Sequence, residues 1–253
     1  VNSGSSANLV LLQSLINLGR LKIGDKIAFS SLTWSTNVMP IIQLGLKPIP
    51  IDVELDTLNI CSKKLEQTCE NENIKCLFIT NLLGFSSDLD KIETYCSLNN
   101  IILLEDNCES LGSVLKGKKL GNFGLASTTS FFVGHHLSTI EGGSVLTNDK
   151  ELQDMLMITR AHGWSRNIDS NLQTELLRKH KVDIFYNKYS FYELGYNLRP
   201  TEINGFLGNN QLAYLDLMIS KRQENYFLYQ QASEKNPNIL PLNIEHMDLV
   251  SNF

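Results

Sequence analysis

No apolar run in the 253-residue sequence approaches the roughly 20 residues that span a bilayer. Stretches such as Ile101 to Leu104 and Cys76 to Ile79 are only strand-sized, which excludes a hydrophobic membrane helix. An excess of positive charge is also missing: 22 Lys and Arg against 27 Asp and Glu leave a net charge of −5, with no basic stretch to grip a nucleic-acid backbone. Cysteine is sparse, with five residues, no C-x-x-C pair and none beyond Cys108. That excludes a disulfide framework and predicts reduced, mostly buried thiols in a soluble cytoplasmic protein. The first dozen residues lack the basic-then-apolar layout of a signal peptide, and the chain opens on Val1, so the start is expected to lie upstream. No internal repeat or low-complexity tract is visible.

What is present is a 42% hydrophobic chain of one or two domains. Short β-branched runs alternate with amphipathic stretches, the pattern of a sheet covered by helices, so the fold class is α/β. Strands are predicted at Lys26–Ser30, Lys47–Asp52, Lys75–Thr80, Ile101–Glu105, Thr128–Phe132 and Ser144–Thr147. Helical spacing places one helix at Ala7–Leu18 and a long one over Glu202–Gln231, with Phe206, Leu207, Leu212, Leu215 and Leu217 on a broad apolar face. Gly163 to Asn197 is a charged excursion rich in aromatic residues, of the length that usually serves function. Residues 235–253, with Pro237 and Pro241, are expected to begin a further, C-terminal domain.

Four places carry chemistry. Ser3-Gly4-Ser5-Ser6 precedes the first helix and offers hydroxyls and free amides at its N-terminus; it reads as a phosphate cradle or as an ordinary Ser cap. Asp106 ends an apolar strand at the carboxyl edge of the sheet, where α/β proteins bind ligands, or else caps a helix. Trp34 offers a stacking face or a core anchor. The segment Ser130 to Gly143 runs from a strand into His135-His136 and then Glu141-Gly142-Gly143. On an extended chain the two imidazoles point to opposite sides, so one of them reaches a shared site. No third metal ligand stands at a recognised spacing, so no metal is expected.

Taken in order, SGSSANL, TWSTNVMPIIQLG, EDNCESLG, SFFVGHHLSTIEGG and GYNLRPTEINGFLGNNQL resemble the motifs of the sugar aminotransferase family of fold-type I pyridoxal-phosphate enzymes, over Val1 to about Gln231. The resemblance implies a large domain over residues 1–234, truncated at its N-terminus, with a mostly parallel sheet flanked by helices, and a small domain beginning at 235–253. It also implies pyridoxal or pyridoxamine 5'-phosphate as cofactor. Gly4, Ser5 and Ser130 would hold its phosphate, Trp34 would stack on the ring, Asp106 would pair with the ring nitrogen and Glu109 would face the ring. Asn197 would reach the phosphate of a neighbouring subunit in a homodimer, and Arg199 would assist there or bind the cosubstrate carboxylate.

Where ordinary members carry the lysine that holds the cofactor covalently, this sequence has His135; the nearest downstream lysine is Lys150. That departure resembles the nucleotide-sugar 3-dehydratases, particularly those acting on GDP-4-keto-6-deoxymannose, with glutamate as amino donor, in deoxysugar and O-antigen biosynthesis. A branch that binds an iron–sulfur cluster carries cysteines just after Arg160, and none is present here. The alternatives are an aminotransferase of the same fold and a non-catalytic homologue acting as a subunit.

Overall fold

The computed structural model describes residues 1–252. Helix α1 (Gly4–Asn17) precedes β1 (Lys26–Ser30), α2 (Ser35–Gln43), β2 (Lys47–Ile51), α3 (Ser62–Asn71), β3 (Ile74–Thr80), α4 (Leu89–Leu98) and β4 (Ile102–Asp106). The short strands β5 (Val114–Leu115) and β6 (Lys118–Lys119) lead to β7 (Ala126–Ser130) and β8 (Gly143–Thr147). Next come α5 (Lys150–Thr159), α6 (Ser170–His180), α7 (Glu202–Leu212), α8 (Leu215–Glu234) and β9 (Met247–Leu249). Six strands form the main sheet in the order β2-β1-β3-β4-β7-β8; all neighbours are parallel except β7 and β8. Strand β9 joins β5 and β6 in a small antiparallel sheet.

Central strands of such a sheet are buried on both faces, which is why they read as continuous apolar runs. The period-2 alternation sorts them: Leu77, Ile79, Ala28 and Leu103 pack with α3 and α4 residues such as Leu65, Leu89 and Ile92. Cys76, Phe78, Ile27, Phe29 and Leu104 pack on the other face against Leu11, Leu12 and Leu15 of α1 and Ile41 of α2. Because α1 buries residues nearly all round, it is a core helix wedged against the sheet. Among the described residues, no helix is long and apolar enough to cross a membrane.

Three predictions need correction. The expected helix over Glu202–Gln231 is two, broken at Ala213–Tyr214, because its halves pack on different partners: α7 lies against the loop after β7, whereas Tyr226 of α8 packs with Phe85 and Val250. Its apolar face is not part of this chain's core, since Phe206, Leu212 and Leu217 are all exposed. The strand predicted at Thr128–Phe132 lies two residues earlier: Phe131 and Phe132 have strand-forming side chains, but pairing with β8 runs from Ala126↔Thr147 to Ser130↔Gly143. Within the polar excursion, α6 is a surface helix capped by the Asp169 side chain and carrying Arg178, Lys179 and His180 in its last turn, with no buried residue.

Candidate active site

Parallel pairing brings the carboxyl ends of the strands into one row. Thr80 stands opposite Asp106, Asp106 opposite Thr128, and two residues further along β7 lies Ser130. Above this row is a cavity of about 420 Å³, lined by Gly4, Ser5, Trp34, Asp106, Glu109, Ser130 and His135 together with Thr36, Asn37, Leu82, Cys108, Phe132 and Glu141. All the predicted site residues but two thus meet in one place. The exceptions, Asn197 and Arg199, are exposed outside the cavity, where Arg199 Nε donates to Asn197 Oδ1 at 3.1 Å.

The first turn of α1 forms one end of the cavity. Ser3 is the cap, accepting from the Ser6 amide at 3.1 Å. The amides of Gly4 and Ser5 are in the first turn, where no intrahelical acceptor exists, and the helix dipole there favours an anion. The Ser-cap reading thus falls on Ser3, while Gly4 and Ser5 line the cavity. Gly4 must be glycine: a Cβ there would lie 2.6 Å from Ser130 Cβ. Similarly, a side chain at Gly143 would meet the Ser3 carbonyl at 2.4 Å, so β8 passes directly beneath the helix start.

Trp34 caps α2 with 70% of its surface exposed, which rules out the core-anchor reading and leaves a flat aromatic platform at the rim. Asp106 forms the floor. Its Oδ1 accepts the Cys108 amide at 2.9 Å and its Oδ2 accepts Asn8 Nδ2 at 3.0 Å. Its neighbour Glu105 points to the other side of the sheet, where it is buried and accepts from the amides of Gly121, Phe123 and Gly124 and from Asn81 Nδ2. Burial pushes its pKa up, against the pull of those donors. Glu109 accepts the Leu83 amide at 2.7 Å, and burial, then the Asp106 charge, raise its pKa despite that bond. Asn37 is fully buried beside the cavity, and neither of its side-chain polar atoms has a partner among the described residues.

His135 is carried by a loop, not by the extended strand that was expected. After Ser130 the chain turns, with the His135 amide donating to the Phe132 carbonyl at 3.0 Å and the Thr139 amide to the Phe131 carbonyl at 2.9 Å. His135 is half-buried in the cavity wall, its ring edge-on to Phe132 at 6.3 Å between centroids. Burial lowers its pKa, the Asp106 charge opposes that and Arg222 adds to it, so the imidazole favours its neutral form. His136 does point away from the cavity: it is buried, its Nε2 3.1 Å from the Ser251 carbonyl, and burial with Arg222 depresses its pKa to about 4.

Residues not singled out in the sequence hold this loop. Asn204 Nδ2 donates to the carbonyls of Thr139 (3.0 Å) and Glu141 (2.7 Å), and Gln211 exchanges hydrogen bonds with both backbone groups of Ser138. Asn204, Gly208 and Gln211 share one helix face by their i, i+4, i+7 spacing. Gly208 lets that face close on Thr139, whose Cγ2 would lie 3.2 Å from a Cβ there. The spacing was legible; the partner loop was not.

No lysine lines the cavity among the described residues. Lys150 follows β8, whose Thr147 end pairs with Ala126 at the opposite edge of the sheet, and it binds Asp154. The first-turn amides of α1, the exposed Trp34 ring, the Asp106 carboxylate and the His135 imidazole therefore surround one cavity. The mostly parallel six-stranded sheet flanked by helices is the fold-type I aminotransferase scaffold, and solved structures of that fold overlay on this chain. The chain belongs to the DegT/DnrJ/EryC1/StrS aminotransferase family, whose model matches residues 1–252. It is 37% identical over 241 residues to GDP-4-keto-6-deoxy-D-mannose 3-dehydratase of Yersinia pseudotuberculosis, covering 94% of this chain and 61% of that protein. It is 39% identical over 232 residues to the enzyme of the same name from Escherichia coli O55:H7, covering 90% and 59%. A crystal structure of GDP-4-keto-6-deoxymannose-3-dehydratase with a trapped PLP-glutamate geminal diamine superposes with a TM-score of 0.88 at 34% identity, covering all of this chain and 65% of that one. The chain thus spans about 60% of the length of the curated relatives it matches.

Proposed function

We propose that this chain belongs to a cytoplasmic dehydratase using pyridoxal and pyridoxamine 5'-phosphate, which removes the 3-hydroxyl of a nucleotide-linked 4-keto-6-deoxy sugar. GDP-4-keto-6-deoxymannose is the proposed substrate and glutamate the amino donor. Residues 1–234 would be the large domain of this enzyme and 235–253 the beginning of the small one. The observation that carries the reading is His135: a half-buried imidazole, its pKa lowered by burial, in the wall of a cavity that no lysine among the described residues lines.

The residues fit the cofactor. The first-turn amides of α1, with the Ser5 and Ser130 hydroxyls, suit its phosphate. Trp34 suits the face of the ring, Asp106 the protonated ring nitrogen and Glu109 its edge. The cofactor supplies an exchangeable amino group and an electron sink, which the protein's side chains lack. The imidazole of His135 takes up one proton beside the reacting centre and returns it to the departing 3-hydroxyl. A residue titrating near neutrality suits both transfers, and imidazole, unlike a lysine amine, does not retain the cofactor covalently. Asn197, exposed outside its own chain's cavity, would complete the site of a second subunit, making the enzyme a homodimer.

The deciding experiment supplies glutamate and a panel of 4-keto-6-deoxy sugar nucleotides to the protein. Release of ammonia and a 3-deoxy sugar is expected. An amino sugar retained as product would instead make it an aminotransferase, and failure to bind the cofactor would make it a non-catalytic homologue.

A further inference from the structure

We propose that Asn8 is a positioning residue for Asp106, setting the direction in which that carboxylate faces the cofactor's ring nitrogen; this rests on the pyridoxal-phosphate reading above. Asn8 has no exposed surface and does not line the cavity, so it acts only through another group. Its Nδ2 donates to Asp106 Oδ2 at 3.0 Å and to the Thr36 carbonyl at 3.2 Å. Two acceptors at one end of the amide fix its orientation, because the reverse placement would set oxygen against both. Both amide hydrogens are then used. The other carboxylate oxygen is held by the Cys108 amide at 2.9 Å. Gripped at each oxygen, the carboxylate has a fixed plane, and a carboxylate's roughly four lone-pair sites leave others for the cavity it lines.

Asn8 also shares a helix face with Gly4 on α1. It follows Gly4 by four residues, so it lies on the same helix face about 6 Å further along the axis. Gly4 is pinned against Ser130 by the close approach that forbids a side chain. Helix α1 is therefore a rigid spacer, with the anion cradle at one point and the grip on Asp106 at the next turn. The bond to Thr36 extends the grip to the first turn of α2, directly after the Trp34 platform. One buried amide thereby ties together the elements expected to hold the phosphate, ring face and ring nitrogen.

The test is a double-mutant cycle on cofactor affinity, with pyridoxal 5'-phosphate as probe and equilibrium dialysis as readout. Asn8→Leu keeps the side-chain volume close and removes both donors. It should weaken binding about tenfold, the scale of a hydrogen bond to a charged group, and shift the absorbance of the bound cofactor. In an Asp106→Asn background the same change should alter affinity by less than about twofold, because the group it serves is gone. Equal losses in both backgrounds, or no loss in the first, would overturn the positioning role. Should Asn8→Leu fail to fold by circular dichroism, the same cycle with the smaller Asn8→Ser decides by the same criterion. Wild-type protein that binds no pyridoxal phosphate overturns the cofactor reading and this inference together, whereas binding with an additive cycle overturns this inference alone.

Discussion

At the scale of single residues, the proposed chemistry rests on one imidazole. His135→Asn keeps a polar side chain of similar reach but removes the base, so turnover should fall by about 10²- to 10⁴-fold while cofactor affinity is retained. His135→Lys should make the cofactor trappable by borohydride. A variant His135→Asn with near-normal turnover would remove His135 from the mechanism. Protonation behaviour gives an independent check. Since burial lowers the His135 pKa, the free base persists below histidine's ordinary 6.5, and the acidic limb of kcat/KM should fall below that value. A limb above 6.5 would contradict this environment. His136, by contrast, is buried outside the cavity against Ser251, so its replacement should be felt first in stability.

At the scale of elements, α7 and the loop that carries His135 form one unit. Ile140 holds a left-handed backbone, φ +69°, unfavourable for a β-branched residue, and the two carbonyls flanking it accept from Asn204. Asn204→Ala and Gln211→Ala should each cost about 1–2 kcal/mol in urea unfolding, because they leave loop backbone groups without partners. Each should also lower kcat without changing cofactor affinity, since the cradle on α1 and Asp106 on β4 are separate from this clamp. Loss of cofactor affinity with kcat intact would reverse that assignment. The break between α7 and α8 falls between two contacts: Gln211 accepts from the Ser138 amide, and Tyr226 packs against Phe85.

At the scale of the whole molecule, stability should depend on pH through His136. Its folded-state pKa of about 4 lies below the ordinary 6.5, so the unfolded chain takes up the proton first as pH falls. Stability is then fully present above 6.5 and declines between 6.5 and about 4, by about 3 kcal/mol from this group. Urea unfolding at several pH values should show that decline, and His136→Gln should flatten it; an equally steep decline in the variant would place its origin elsewhere. Phe206, Leu212 and Leu217 of α7 and α8, and Phe185, Tyr189 and Phe191 in the excursion, are all exposed. If that surface is the dimer interface and Asn197 reaches the partner's phosphate, Asn197→Asp should weaken cofactor binding by charge repulsion. Unchanged affinity in equilibrium dialysis would sink that placement.

The sequence by itself determined the α/β class, because period and apolar run length are local properties. Its ordered motifs also named Gly4, Ser5, Trp34, Asp106, Glu109, Ser130 and His135, all of which line one cavity. Only the tertiary structure decided the break at Ala213–Tyr214, the two-residue shift of β7 and the partners of Asn8, Asn204 and Gln211. Those features are set by hydrogen bonds between residues as far apart as Asn8 and Asp106, or Ser138 and Gln211. An amide's local sequence says that it can donate and accept, whereas the acceptor it meets depends on how strands and helices pack.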